Sequence, residues 1–278
     1  MGAFNIVLMQ ADFSSNYLKK GTPIIASEET ADAILSQLKE TNESIEDALR
    51  LFFYRLKQSG IFPKVKNLVL PCVSSDLDEA RRNWMNTSDY EEGVSYSDYG
   101  GTKGLVFESI NKTIHRGGSV QAATNTIVNP SSSLLAGNIT ACFCTKGHKT
   151  EYLQTTKTFI SLSGLQYSSL QASNISLYQN SSNNVLPIGE FSENINHPIV
   201  GTWHCSDNDG YISAYTVKGQ YVSKNTNPTE WPDKNKALIG FGTIAVDSPM
   251  HFILLSEELT KEEMMNLYEI VNDFLQAL

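Results

Sequence analysis

The stretch from Met250 to Leu278, MHFILLSEELTKEEMMNLYEIVNDFLQAL, determines how the chain ends. Its residues 251–255 form a short apolar run typical of a buried strand. Thr260 precedes Glu263 by three residues, which is the spacing of a capping box at a helix start. The apolar residues that follow recur every three or four positions and predict one helix face: Met264, Leu267, Tyr268, Val271, Phe274, Leu275 and Leu278. We therefore predict a strand, a capped turn and a helix over 260–278 that packs on another part of the protein.

The body that this helix covers is predicted from the middle of the chain. Short runs rich in β-branched and aromatic residues follow one another there, among them KNLVLPCV from Lys66, NITACFCTKG from Asn138 and IVGTWHCSD from Ile199. Clusters of Gly, Asn, Ser and Pro separate the runs, and the sequence between them lacks helical crossovers. The pattern predicts a mainly β fold of two antiparallel sheets and does not favour a parallel α/β sheet.

The first 60 residues follow a different pattern. Gly and Pro interrupt the opening of the chain, which is interpreted as an extended arm. Ser27 is a suitable cap for a first helix, and Asn42 or Ser44 for a second, which Gly60 is placed to end. The predicted organisation is an arm over 1–25, a helical anchoring or oligomerisation segment over 26–60, and a β domain over 61–278.

The second of these helices is strongly apolar on one side. The residues on that side are Leu49, Phe52, Phe53 and Leu56. They are too apolar to remain in water, so the helix packs either against the sheet body or against a sister subunit. The sequence leaves both alternatives open, and the four residues are assigned as a hypothesis to an oligomer or anchoring surface.

The composition argues against several classes of partner. A formal net charge of -9 and the lack of a basic run argue against nucleic acid. No apolar run reaches the ~20 residues of a membrane helix, and residues 1–25 lack the pattern of a secretion signal, so we expect no membrane insertion. The spacing of the cysteines is not that of a zinc site, so we expect ordinary reduced thiols and neither metal nor cofactor. The four cysteines are Cys72, Cys142, Cys144 and Cys205.

Catalytic patterns are also missing from the sequence. A glycosidase needs two carboxyl groups at a defined separation, whereas the adjacent acids here fall at predicted helix starts and loops, where solvation and the helix dipole explain them. These acid pairs are Glu28-Glu29, Glu91-Glu92, Glu257-Glu258 and Glu262-Glu263. The five histidines lie in separate segments, and His204 is interpreted as a surface histidine beside a buried Cys205. We predict that the protein is not an enzyme.

One loop and one tryptophan are candidates for ligand binding. The run Asp207-Asn208-Asp209 begins like a calcium loop but lacks the bidentate Glu that such a loop needs. It is interpreted as a hairpin turn, with a weak ion- or sugar-contact loop as the alternative. Trp203 lies in an apolar strand and is predicted to be core, whereas Trp231, in the polar loop NPTEWPDKNK, is predicted to be exposed. The candidate sugar-binding residues are Asp207, Asn208, Asp209 and Trp231.

Several segments, taken in order, resemble a known family. They are FFYRLKQSGIFPKVKNLVLPCVSSDLDEARRNW from Phe52, SYSDYGGTKGLVFES from Ser95, GYISAYTVKGQYVSKNTN from Gly210, KALIGFG from Lys236 and LSEELTKEEMMNLYEIVNDFLQAL from Leu255. Their order resembles that of concanavalin A-like or laminin-G-like jelly-roll modules in structural proteins of tailed bacteriophages. The opening NIVLMQADFSSN is similar to virion proteins of phages of gut Bacteroides, including the crAss-like group. The chain departs from the family at Lys218-Gly219, where many members have Asn-Gly.

This resemblance implies a concanavalin A-like jelly-roll sandwich over 61–278 and a structural role in a virion. The function expected from it is a non-enzymatic head fibre, capsid decoration or tail-fibre component, made in the cytoplasm of a bacterial host. The expected partners are other virion proteins and further copies of the chain, with a trimer as the first choice. The alternative is a carbohydrate-binding module that recognises a glycan of the host surface.

Overall fold

A computed structural model describes the chain over residues 28–85, 105–116, 126–131, 138–146, 157–162, 165–170, 174–179, 181–190, 198–205, 209–215, 219–226, 237–241 and 250–278. The predicted arm over 1–25 lies outside these residues. Within them the α-helices are α1 (Glu28–Leu35), α2 (Glu43–Gln58), α3 (Leu77–Ala80) and α4 (Lys261–Ala277). The strands are β1 (Val65–Val69), β2 (Leu105–Glu108), β3 (Thr113–Arg116), β4 (Thr126–Ser131), β5 (Ile139–Thr145), β6 (Lys157–Leu162), β7 (Leu165–Leu170), β8 (Asn174–Gln179), β9 (Ser181–Glu190), β10 (Ile199–Cys205), β11 (Gly210–Tyr215), β12 (Tyr221–Asn225), β13 (Ala237–Phe241) and β14 (Met250–Glu257).

The predicted C-terminal helix is confirmed as α4, and its start has both halves of a capping box. The Glu263 N–H donates to Thr260 Oγ1 at 3.3 Å, and the Thr260 N–H donates to a Glu263 carboxylate oxygen at 2.8 Å. The inner face of the helix buries Met264, Leu267, Ile270, Val271 and Phe274. Leu278, predicted to belong to this face, is 40% exposed because it lies beyond the last helical residue.

The strands of the described residues form two antiparallel sheets. The larger has the order β12-β11-β10-β5-β14-β3-β2, with β1 also paired to β14, and the smaller has the order β4-β13-β6-β7-β8-β9. Strands β11 and β12 of the larger sheet contact β8 and β9 of the smaller one. The predicted fold class, a mainly β, two-sheet antiparallel sandwich with a C-terminal packing helix, is therefore confirmed.

Helix α2 has the predicted boundaries. Asn42 caps it, since its side-chain oxygen accepts the Ile45 N–H at 2.9 Å. After the helix, Gly60 has a φ of 73°, a left-handed conformation that glycine adopts without strain from a Cβ atom. None of the helices in the described part of the chain has the length and apolarity of a membrane-spanning segment.

The apolar side of α2 packs on the larger sheet of the same chain. The Phe52 ring centroid lies 4.8 Å from that of Phe274 in α4 and 5.9 Å from that of Phe252 in β14. All four residues assigned to an oligomer or anchoring surface are at most 1% exposed, namely Leu49, Phe52, Phe53 and Leu56. Of the two alternatives, packing against the sheet body is the observed one, and the oligomer assignment is corrected because the chain itself covers these side chains. The same hydrophobic cluster includes Leu254, so one core continues across the predicted boundary at residue 60.

Alternation along the strands gives the larger sheet two faces. Cys142, Val200 and Phe252 lie in the cluster beneath α2 and α4, and we call this side of the sheet the helix-side face. Along each strand, the residues at odd-numbered steps from these positions point to the opposite face. Trp203 is one of them and is fully buried, as predicted for a core residue.

Candidate functional site

Three rows of side chains cross the helix-side face from β5 to β12. Residues directly opposite each other on paired antiparallel strands point to the same face of a sheet. The first row is Cys142, Val200, Tyr215 and Tyr221, and the second is Thr140, Thr202, Ser213 and Ser223. The third row, which we call the polar row, is Asn138, His204, Tyr211 and Asn225.

Helix α4 covers the first two rows where they cross β5, β10 and β11, and leaves the polar row uncovered. The Tyr268 ring centroid lies 5.0 Å from that of Tyr215 in the first row. The hydroxyl of Thr202 in the second row lies 3.3 Å from the Met264 sulfur. The polar row lies beyond the N-terminal end of the helix, where Glu258, from the segment between β14 and α4, contacts it. The start of α4 therefore decides where the core ends and an accessible site begins.

The imidazole of His204 is the centre of the polar row. Its Nδ1 lies 2.7 Å from the Asn138 side-chain nitrogen and 3.0 Å from a Glu258 carboxylate oxygen, and its Nε2 lies 3.3 Å from Asp209 Oδ1. The ring stacks on Tyr211 with a centroid separation of 4.8 Å and an interplanar angle of 5°. Two carboxylates thus face the two ring nitrogens of His204.

Tyr211 connects the stack to Glu258. Its hydroxyl donates to a Glu258 carboxylate oxygen. Burial and this hydrogen bond raise the pKa of Tyr211 far above its ordinary value, so the phenol stays protonated. The side chains of His204 and Glu258 retain 21% and 28% of their accessible surface. The cluster is therefore fixed in orientation and still reachable from solvent.

One of the predicted ligand-binding residues belongs to this cluster. Asp209 faces the His204 ring, and its side chain is 72% exposed. Asp207, Asn208 and Trp231 lie outside the described residues, so their part in a site stays a prediction.

The sequence alone does not indicate that His204, Tyr211 and Glu258 meet. Tyr211 carries no motif, and Glu258 belongs to an acid pair that solvation explains. The signal that finds them is strand register, since pairing of Cys205 with Gly210 places His204 opposite Tyr211 on one face.

The residues described do not suggest a metal or thiol centre. Among them no group of three His, Cys, Asp or Glu side chains is arranged to hold a metal ion. Cys72, Cys142 and Cys144 are free and buried, as predicted for ordinary thiols. Burial raises the pKa of Cys144 to about 12 and raises the pKa values of the other two well above the ordinary range. These thiols stay protonated, and therefore weakly nucleophilic, at neutral pH.

Comparison with known proteins gives distant structural likenesses. No protein-family model matches the sequence, and a search of curated proteins finds no match. The CBM40 of the Ruminococcus gnavus IT-sialidase matches 54% of this chain and 99% of its own length, at 8% identity and a TM-score of 0.33. Domain 4 of AbnA, a GH43 extracellular arabinanase from Geobacillus stearothermophilus solved with arabinotriose, matches 56% of this chain and 76% of its own length, at 11% identity and a TM-score of 0.36. The enzymatically active domain of bacteriophage CBA120 tailspike protein 2 matches 57% of this chain and 28% of its own length, at 10% identity and a TM-score of 0.31.

Proposed function

We propose that the protein is a non-enzymatic binding protein whose polar row, together with Glu258 and Asp209, binds a carbohydrate. The observation that carries this proposal is the stack of His204 on Tyr211, which is set between two carboxylates at an open part of a β-sheet. Carboxylate and amide groups exchange hydrogen bonds with sugar hydroxyls. Aromatic side chains combine an apolar body with a polar handle, which suits a ligand that is apolar on its ring faces and polar at its edges.

The cluster is also ordered before any ligand arrives. His204 and Tyr211 stand on paired strands, and Glu258 accepts from the Tyr211 hydroxyl beside the capped start of α4. A site whose side chains are already fixed loses less conformational entropy when it binds. This smaller entropy loss raises the affinity for a weakly interacting ligand such as a sugar.

A glycan array tests the proposal with the wild-type protein and two variants. Glu258→Gln alters a carboxylate of the cluster, and Glu262→Gln makes the same change at an exposed position in the first turn of α4. We expect wild type and Glu262→Gln to bind the same glycans. Glu258→Gln should bind them about tenfold more weakly or worse, because a hydrogen bond to a charged group contributes roughly 1.5–3 kcal/mol. Equal binding by the two variants, or no binding to any glycan by wild type, contradicts the proposal.

The non-enzymatic part of the proposal has a separate test. Both carboxylates of the cluster face His204, and a glycosidase instead needs two carboxyl groups flanking the scissile bond. We expect each glycan retained on the array to be recovered intact after prolonged incubation with the protein. Hydrolysis that disappears in Glu258→Gln would show that the cluster is catalytic.

The biological setting proposed for this binding protein is a phage virion. The segments that resemble, in the same order along the chain, structural proteins of tailed phages support a head fibre, capsid decoration or tail-fibre component. Its partners would be other virion proteins, and it would be made in the bacterial cytoplasm. An antibody raised against the purified chain should label virions of the phage that encodes it in electron micrographs. Unlabelled virions, with the protein present only in the lysate, contradict this setting.

The proposed trimer needs a surface other than the one first assigned to it. Leu49, Phe52, Phe53 and Leu56 are covered by the chain's own core and do not offer a contact to a sister subunit. The solution mass of the full chain by light scattering tests the trimer directly. Three times the chain mass is expected, and the mass of a single chain contradicts it.

A further inference from the structure

We infer that the site takes an extended, uncharged oligosaccharide, which runs from the polar row along β12 to Tyr221 and Lys261. The inference rests on the proposed carbohydrate binding and names its ligand class. It draws on residues that the polar row itself does not include.

The path of the ligand is set by β12, which is the last strand at its end of the larger sheet. On the helix-side face this strand presents Asn225, Ser223 and Tyr221 in turn, and we call these three residues the β12 strip. At a strand rise of about 3.3 Å per residue, the strip extends about 13 Å from the polar row to Tyr221. Asn225 and Ser223 are exposed and Tyr221 is partly exposed, so the strip faces solvent along its length.

The far end of the strip is a supported aromatic ring. Lys261 Nζ lies 4.9 Å from the Tyr221 ring centroid, a cation–π contact. Tyr221 pairs with Tyr215, which packs in turn on Tyr268 of α4. The segment that leads into α4 thus contacts both ends of the path. Glu258, three residues before the helix, contacts the polar row, and Lys261, the first helical residue, contacts Tyr221.

The chemistry along this path indicates the class of ligand. One end holds the carboxylates of Glu258 and Asp209, which repel an anionic sugar and accept hydrogen bonds from hydroxyls. The formal net charge of -9 adds to this repulsion. The middle offers the Ser223 hydroxyl, and the far end offers the Tyr221 ring, which Lys261 Nζ already contacts. Two ring-bearing ends about 13 Å apart are too far from each other for a single sugar ring to contact both, so the path fits a chain of several sugars.

Calorimetric titration with oligosaccharides of increasing length tests the inference. The probes are glucose and N-acetylglucosamine oligomers of one to five units, together with an oligomer of galacturonic acid as the anionic counterpart. For wild type we expect affinity to rise with length until the strip is filled, and the anionic oligomer to bind at least tenfold more weakly than the best neutral oligomer of equal length.

Variants separate the strip from the polar row. Tyr221→Ala should weaken binding of the longest oligomer about tenfold and leave binding of the shortest unchanged, since loss of about 1.4 kcal/mol is a factor of ten. Tyr54→Ala, at a partly exposed tyrosine of α2, is the matched control and should change neither. Ser223→Arg places bulk on an exposed part of the strip without touching the core, and it should also weaken only the longer oligomers.

The outcomes distinguish this inference from the proposed function. Affinity independent of length, together with unchanged binding by Tyr221→Ala and Ser223→Arg, overturns the extended path and leaves carbohydrate binding at the polar row standing. If the galacturonic acid oligomer binds more tightly than the neutral oligomers of equal length, the assignment of an uncharged ligand is wrong. Failure of wild type to bind any of these oligomers overturns the inference, and failure to bind any glycan on the array as well overturns the proposed function.

Discussion

The helix-covered rows and the polar row belong to the same face of the same sheet, and yet one part is core and the other is open. Beneath α2 and α4 Phe252 contacts Phe52 and Phe274, and even the hydroxyls of Thr202 and Ser213 are buried against Met264. Beyond the N-terminal end of α4 the same strands carry His204 and Tyr211. Strand alternation is identical in the two parts, so alternation does not determine burial here. The position of the helix start does, since the polar residues Thr202 and Ser213 are buried where α4 covers them.

The largest effect expected from this comparison is in the covered part. Phe52→Ala should lower the free energy of unfolding by about 3–5 kcal/mol, because it leaves a cavity among Phe53, Phe252 and Phe274. Chemical denaturation measures this loss. Met265→Ala, on the exposed side of α4, is the control and should change stability by less than about 0.5 kcal/mol. A loss in Phe52→Ala no larger than about 0.5 kcal/mol, the limit expected for Met265→Ala, would mean that α2 is not part of the core.

A buried histidine extends the comparison to pH. His251 in β14 is buried, and its Nδ1 donates to the Lys112 carbonyl oxygen at 2.8 Å. Burial lowers the pKa of His251 from 6.5 to about 4, against the raising effect of that hydrogen bond. Between these values the unfolded chain binds more protons than the folded one, so stability is lost as pH falls from about 6.5 to about 4. The total loss from this group is roughly 3 kcal/mol.

The contribution of His251 is isolated by a variant. Denaturation curves across this pH range should show the loss in wild type and a shallower slope in His251→Asn, which retains a donor for the Lys112 carbonyl. Parallel slopes for wild type and His251→Asn would show that His251 is not kept neutral by burial.

The boundary between the two parts is set by the cap of α4. Thr260→Ala removes the side-chain acceptor of the Glu263 N–H and should lower the free energy of unfolding by about 1 kcal/mol. Thr260→Ser keeps a hydroxyl at this position and should restore most of the loss. Equal stability of the alanine and serine variants in thermal denaturation would show that the capping box contributes nothing.

The smallest effect on stability is expected in the polar row. Glu258→Gln should change the free energy of unfolding by less than about 1 kcal/mol, because the partly exposed Glu258 carboxylate gains little from its contact with His204. Thermal unfolding monitored by circular dichroism gives this value. A loss as large as that of Phe52→Ala would identify Glu258 as a structural residue and would remove the contrast between the two parts.

The sequence predicts the elements of this fold better than their arrangement. The cap at Thr260, the stripe on α4 and the strand before it are local patterns, and the structure confirms them. The packing partners of Phe52 are distant in the sequence. The helix pattern shows that this face is apolar, but it does not show which surface covers it. The polar row is also not local. Its members come from four segments, and they meet only through strand register and the path of the chain into α4.

The measurement that tests the polar row most directly is a nuclear magnetic resonance titration of the full chain with the neutral oligosaccharide that binds best on the array. Amide shifts should change in residues 202–205, 209–211, 221–226 and 257–262, and residues 43–58 of α2 should remain unaffected. Repeating the titration with Glu258→Gln should require a higher sugar concentration for the same shifts. Changes confined to other parts of the chain, or none at a saturating concentration, would contradict a carbohydrate site at the polar row.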